Sequence, residues 1–382
     1  MRRKLRKKLA GFSPEFPADL DSWEMRGWRE GLEDDLPVPA LVLFLLNRVL
    51  GYRQLDPGDK GRWAVGCSVA GEPVAFRDRK FGFEILVAPG STLEQKRILF
   101  PLKAALRVLE EELLVPEANE QIHDCRVAVI NRFGEFSHRY QYFRTKADEL
   151  FAQAEIRPSD RKGMEGLPSI SAVTAEMNRA AVAEREAFFL SAAMVDAYYS
   201  LLEHRLILLR AFTGKPMAAG DFEKLLGANW EGKLVMVLDL NSKGREGKEL
   251  LGELRRIKER IRNPFAHGGV ENDRGSIYVQ LGSFGAVPAN FSRARNSIRF
   301  NFRPIVAEDH AAMCGVFDRL DAFLETDDLS LPHRFLDSSV DPAFDAGMLT
   351  EYTTAIKDGG EAVDEWIDRW SREWERHQNA DY

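Results

Sequence analysis

The chain has 382 residues, 45% hydrophobic and 30% charged, with 53 Lys and Arg against 60 Asp and Glu for a net charge of −7. That length exceeds one ordinary core and predicts more than one domain, and the balance excludes a disordered or membrane-embedded chain. The acidic charge excludes a global positive field for nucleic acid, so any polyanion site must be local.

The three cysteines, Cys67, Cys125 and Cys314, stand far apart without C-x-x-C or paired-histidine spacing, so they read as buried thiols of a reducing compartment and no metal site is expected. The N-terminus MRRKLRKKLAG carries six Lys or Arg in its first eight residues. It reads as a local patch able to grip RNA phosphates or as a solvated terminus. No signal-peptide core follows it, and the run PALVLFLL at Pro39–Leu46 is broken by Asn47 and Arg48, short of the ~20 residues a span needs. The expected setting is cytoplasmic, with no membrane partner.

Along the chain, Leu41–Leu50 predicts a buried helix, and WAVGCSVAGEPVAF with FGFEILVAP predicts strands turned at Gly71 and Pro73. Ser91 opens S-T-L-E, a capping-box pattern for a helical stretch to Leu114 that Pro101 kinks or splits. The apolar run CRVAVI and a helix from about His138 to Ala154 follow. Residues 156–169, IRPSDRKGMEGLPS, are rich in Pro, Gly and charge and predict a linker.

Beyond the linker, a long helix is expected from about Ala172 to Phe212, so apolar in its second half that it packs on most faces. Short helices are expected at Asp221–Leu226 and Lys233–Leu240, then a longer one from near Lys248. SIYVQL at Ser276–Leu281 and SIRFNF at Ser297–Phe302 predict an antiparallel pair joined by a longer loop. Met313–Leu324 is helical, and Trp366, Trp370 and Trp374 form a packing stripe on a C-terminal helix. The expected fold is mainly α with an α+β N-terminal region: an α+β domain of unknown role over 1–165, a helical domain with a strand pair near 276–303 over 166–330, and a helical C-terminal extension over 331–382.

The densest chemistry is RNPFAHG, Arg262 to Gly268. Leu251, Leu254, Ile257 and Ile261 recur at three and four, so the preceding helix buries one face. Pro264 strains that helix and Gly268 and Gly269 can end it, which puts His267 in the last turn, where the helix dipole favours its protonated form. An arginine offers phosphate a fixed fork of donors and a histidine offers acid or base chemistry. The pair suits phosphodiester cleavage by the neighbouring ribose hydroxyl, which needs charge stabilisation and proton transfer but no metal. A structural reading stands beside it: Arg262 pairs with a carboxylate of the long apolar helix, His267 is a polar C-cap and Asn263 closes a backbone bond.

RNPFAHGG resembles the R-x4-6-H motif of the HEPN superfamily in the form where Asn follows the arginine, and it follows a long apolar helix carrying Asp196, Glu203 and His204. The resemblance spans roughly 172–270. It implies a HEPN-like helical bundle in the C-terminal half with a small β insertion. It further implies a metal-independent endoribonuclease, needing no cofactor, that acts on RNA as a homodimer with a composite site. Carried over by position, Arg262 would stabilise the scissile phosphate, His267 would move protons and Asn263 would orient the site. Glu203 is added as a carboxylate that could orient Arg262. Such proteins are often toxins or effectors of antiviral defence or stress, restrained by an antitoxin or regulatory partner. Other members are inactive and serve in dimerisation or nucleotide binding, which is the alternative function here.

Other constellations are weaker. No GxxxxGK[ST], GxGxxG or G-x-S-x-G occurs. His123 and Cys125 lack a second ligand pair, and Asp78 and Glu84 lack the lysine of a metal nuclease, Leu86 standing in its place.

Overall fold

The computed structural model describes residues 1–17, 26–28, 39–80, 82–155, 170–262, 276–282, 285–292, 297–300 and 305–379. The expected linker, 156–169, lies outside the described residues. The chain is mainly helical, with a small antiparallel sheet in its N-terminal part. Among the described residues no helix is long and apolar enough to cross a membrane. Two compact units divide it, Met1–His123 with Ser371–Tyr382, and Asp124–Trp370.

The first unit contains α1 (Arg2–Lys8), β1 (Phe12–Ser13), β2 (Arg26–Trp28) and α2 (Pro39–Leu43), which runs into a π turn at Phe44–Val49. Then come β3 (Gln54–Leu55), β4 (Gly61–Val69), β5 (Glu72–Arg79), β6 (Gly82–Val87), α3 (Gln95–Leu109) and, after a second π turn, α4 (Val115–His123). The strands pair in the order β1-β4-β5-β6-β2, and β3 also pairs with β4. Alternation sorts the two faces. Trp63, Val65 and Cys67, Val74 and Phe76, and Phe83, Ile85 and Val87 join α1, α2 and α3 in one core, whereas Ala75 and Leu86 lie on the other face with Phe16 and Leu55. Ala70 and Gly71, with φ of 52° and 86°, form the two-residue turn between β4 and β5. Pro73 is therefore not a turn residue; it lies inside β5 opposite Ser68.

Two further details differ from expectation. Ser91 Oγ accepts from Leu93 N at 3.2 Å, a local turn, so the helix starts only at Gln95 and no capping box forms. Pro101 sits inside α3 without ending it. The basic N-terminus is a helix anchored by buried Leu5 and Leu9, and Lys4 and the terminal amine pair with Glu112.

The second unit holds α5 (Phe133–Ala154), α6 (Ile170–Arg210), α7 (Asp221–Gly227), α8 (Trp230–Val237), a 3₁₀ turn at Leu240–Lys243, and α9 (Gly244–Ile257) with a π turn at Lys258–Arg262. β7 (Ser276–Gln280), β8 (Ala286–Ser292) and β9 (Ser297–Arg299) follow, then α10 (Ala307–Glu325), a 3₁₀ turn at Asp327–Leu329, α11 (Ser330–Asp337), α12 (Ala346–Asp358) and α13 (Gly360–Asn379), of which the part up to Trp370 belongs to this unit. Tyr140 meets Tyr198 and Phe136 meets His204, so α5 and α6 run antiparallel. Phe317 of α10 stacks on Tyr198 at 3.8 Å and meets Tyr140 and Tyr199 edge-on, which locks the three helices through aromatic faces and edges.

This packing places the division between units at His123 and Asp124, ahead of the expected 165, because α5 belongs with α6. Up to Trp370 the expected C-terminal extension is likewise part of this unit: Phe335 and Tyr352 pack with Phe212 from the chain just after α6, and Trp366 packs on both. The expected strand pair is corrected as well. Ser276–Gln280 and Ser297–Arg299 do not pair with each other; each pairs with β8 between them. Pro288 hides β8 in the sequence, since proline argues against a strand, yet β8 pairs with β7 along Ala286–Asn290 and with β9 at Asn290–Ser292.

Arg205 is the largest fully buried polar group of this unit. Its Nη1 donates to Asp321 at 2.7 Å, its Nη2 to Glu325 at 2.7 Å and its Nε to His333 Nε2 at 2.8 Å, while Phe133 lies beneath it. His333 Nδ1 stands 3.1 Å from the Leu329 carbonyl, which fixes the neutral tautomer with the proton on Nδ1. Burial first, and then the Arg205 charge, hold its pKa down to about 3. The unfolded histidine titrates near 6.5, so on acidification the unfolded state takes up the proton and the folded state does not. Stability should therefore fall as pH drops below 6.5, by about 2 kcal/mol at pH 5 from this residue. His333→Gln keeps an acceptor for Arg205 but no proton site. Urea unfolding at pH 7 and pH 5 should lose less stability in this variant than in wild type; equal losses would refute the assignment.

Candidate functional site

Asp196, Tyr199 and Glu203 recur at three and four along α6, so they share one face. The π turn that ends α9 crosses this face. Tyr199 Oη donates to the Leu254 carbonyl at 2.5 Å, tying the end of α9 to α6, and burial raises the Tyr199 pKa, which keeps the phenol protonated. Arg262 is the last described residue of this π turn, a distortion common at functional positions.

Arg262 is half-buried, its side chain 27% exposed. Its Nε donates to Asp196 Oδ1 at 3.0 Å and its guanidinium lies 5.8 Å from the centre of the Tyr199 ring. Among the described residues neither Nη group has a partner, so this edge of the fork can meet an anion. Asn263 and His267 lie outside the described residues. Glu203, expected beside Arg262, pairs instead with buried Lys233 at 3.1 Å. Asp196 takes the orienting place. The sequence shows both carboxylates on one face, and only the crossing point of α9 on α6 selects between them.

Further cations lie along the same face. Lys258 lies over Trp230 at 5.6 Å, and its pKa is lowered first by burial and then by Arg262 and Lys233, against the pull of Glu203 and Glu231. Arg255 is paired with Glu231. Arg262, Lys258, Lys233 and Arg255 thus stand among Asp196, Glu203, Glu231 and Glu259, a charged cluster of balanced sign. The periodicity of α9 could have identified Lys258, which precedes Arg262 by four residues, and the sequence reading passed over it.

A second group resembles a nucleophilic relay. Ser191 Oγ is 2.8 Å from His310 Nδ1, and His310 Nε2 is 3.1 Å from Asp148. Ser191 and His310 are both buried, at 0% and 1% exposure. A nucleophile must be reachable by substrate, and Ser191 has no exposed surface; the trio ties α5, α6 and α10 together. Asp78 and Glu84 do not converge either, because Asp78 is opposite Phe83 and Glu84 opposite Arg77, on opposite faces of the sheet. Glu84 accepts from Arg77 at 2.8 Å. Among the described residues no cluster of three His, Cys, Asp or Glu is placed to hold a metal. No family model, curated protein or solved structure matches this chain.

Proposed function

We propose that this chain is a metal-independent endoribonuclease of HEPN type, acting as a homodimer and serving as a toxin or defence effector. The supporting observation is the Arg262 fork: held through Nε by Asp196 and from one side by Tyr199, with its Nη edge unpaired among the described residues. A guanidinium fixed in this way is preorganised for charge that grows on a phosphate. In the reaction, the ribose 2′-oxygen attacks the adjacent phosphorus, the bond to the 5′-oxygen breaks, and a 2′,3′-cyclic phosphate and a 5′-hydroxyl result. Arg262 stabilises the extra charge of the five-coordinate phosphorus. His267, five residues on in the sequence, exchanges the proton that leaves the 2′-hydroxyl or joins the 5′-oxygen.

A second reading, a non-catalytic HEPN-like protein for dimerisation or nucleotide binding, draws on the same ion pair, since an arginine bonded to a carboxylate on the neighbouring helix also serves packing. One assay separates them. Purified protein is incubated with labelled total RNA and tRNA in EDTA beside Arg262→Ala and His267→Ala. Cleavage by wild type that both substitutions abolish is expected. Intact RNA in every lane sinks the nuclease and leaves the second reading.

A further inference from the structure

Away from Arg262, the second unit encloses a cavity of about 570 Å³ between the end of α6, the end of α8, the two 3₁₀ turns and α12. That volume suits a small organic ligand. Its floor is apolar, made by Phe212, Val237, Leu238 and Leu329, all buried. Its rim carries Lys215, Lys243 and Lys357. None of the three has a carboxylate partner among the described residues, although Asp239 and Asp328 also line the cavity. Asp239 is already engaged, accepting from Asn241 N at 3.0 Å to cap the first 3₁₀ turn. Of the hydroxyls, Thr353 donates to Leu349 O and Thr326 to Ala322 O, so each can only accept from a ligand. Among the described lining side chains, the lysines are the cationic donors.

The wall bearing Lys215 is built in advance. Buried Arg210 donates from Nη1 to the Lys215 carbonyl at 2.8 Å and from Nη2 to the Pro216 carbonyl at 3.0 Å, and Lys215 Nζ donates to the Met236 carbonyl at 2.8 Å. Gly214, Lys215, Thr353 and Lys357 also line a second cavity, of about 300 Å³, which continues past Met217 and Leu349. Two of the lysines therefore border both spaces.

We propose that this cavity binds a phosphomonoester with an apolar body, the phosphate taken by Lys215, Lys243 and Lys357 and the body laid on the Phe212–Leu238 floor. Phosphate fits three separate ammonium groups because it carries close to two charges and three acceptor oxygens at neutral pH. The apolar floor selects an organic ester over inorganic phosphate. The site is independent of the Arg262 reading.

Titration calorimetry on the full chain with phenyl phosphate, inorganic phosphate, phenol and benzoate tests it. Phenyl phosphate should bind at least about tenfold more tightly than inorganic phosphate or phenol, the gain expected from burying a ring together with its charge. Benzoate, with less charge and one fewer acceptor, should be weaker than phenyl phosphate. Lys243→Ala and Lys357→Ala should each weaken phenyl phosphate about three- to tenfold at unchanged melting temperature, since both residues are exposed and, among the described residues, unpaired. Absent binding, equal affinity for phenyl and inorganic phosphate, equal affinity for benzoate, or a Lys243→Ala/Lys357→Ala double variant that binds as wild type would each overturn the proposal.

Discussion

Replacing Arg205 with alanine is expected to destabilise the second unit by about 3–5 kcal/mol, the cost of breaking a buried charge network from one side. The substitution removes the donors to Asp321, Glu325 and His333 at once. Glu325 is more than half exposed and can return to water. Asp321 cannot do so as readily: burial already raises its pKa and Arg205 is the main influence lowering it. Without the arginine, Asp321 would protonate or hold an uncompensated charge against Tyr198, whose hydroxyl donates to it at 2.9 Å. His333 Nε2 would lose its only donor among the described residues, and the void beside Phe133 would add a packing cost. Arg205→Met with Asp321→Leu removes both charges and should recover part of the loss, as apolar replacements of whole buried networks do. Urea unfolding followed by hydrogen exchange in peptides of Phe133–Ala154 measures it. A loss below about 1 kcal/mol for Arg205→Ala would show that the network contributes little.

The second large effect concerns cleavage. If Arg262 stabilises the transition state, Arg262→Ala should cost about 10²–10³ in kcat, as loss of a preorganised donor does. Asp196→Asn should cost about tenfold or more, because Nε would lose its charged anchor and the fork its fixed direction. KM should move less than kcat in both, the sign of an interaction made mainly in the transition state. Arg262→Lys should not rescue, since one ammonium cannot reproduce a fork. Glu203→Gln is the internal control. It weakens the bond to Lys233 but leaves the Arg262–Asp196 pair intact, so its effect on kcat should be smaller than that of Asp196→Asn. Wild-type kinetics in Asp196→Asn, with cleavage still dependent on Arg262, would remove Asp196 from the site.

Much of the local structure is legible in the residues alone. Trp63, Val65 and Cys67 alternate, and a half-exposed or two-faced sheet follows from a period of two. Leu251, Leu254, Ile257 and Ile261 recur at three and four, and an amphipathic helix follows. Arg262 could be singled out because its neighbours form a recognisable pattern within a few residues. What the sequence by itself determined was therefore periodic or contiguous: the β4–β6 strands, the length and apolarity of α6, and the helix that carries Arg262.

Tertiary structure decided which distant groups meet. Asp196 and Glu203 are two turns apart on one face of α6, about 10 Å along its axis, and both are plausible partners for an arginine until the crossing point of α9 is known. That crossing gives Arg262 to Asp196 and Lys233 to Glu203. β8 is hidden because Pro288 argues against a strand in isolation, whereas its pairing with β7 and β9 is made only in the folded chain. The grouping of α5 with α6 rests on aromatic pairs between residues such as Tyr140 and Tyr198, and the lysine cavity gathers residues from the end of α6 through α12. The reason is physical: periodicity records which face of an element is buried, but carries no record of the partner that buries it, and both sites described here are made by such partners.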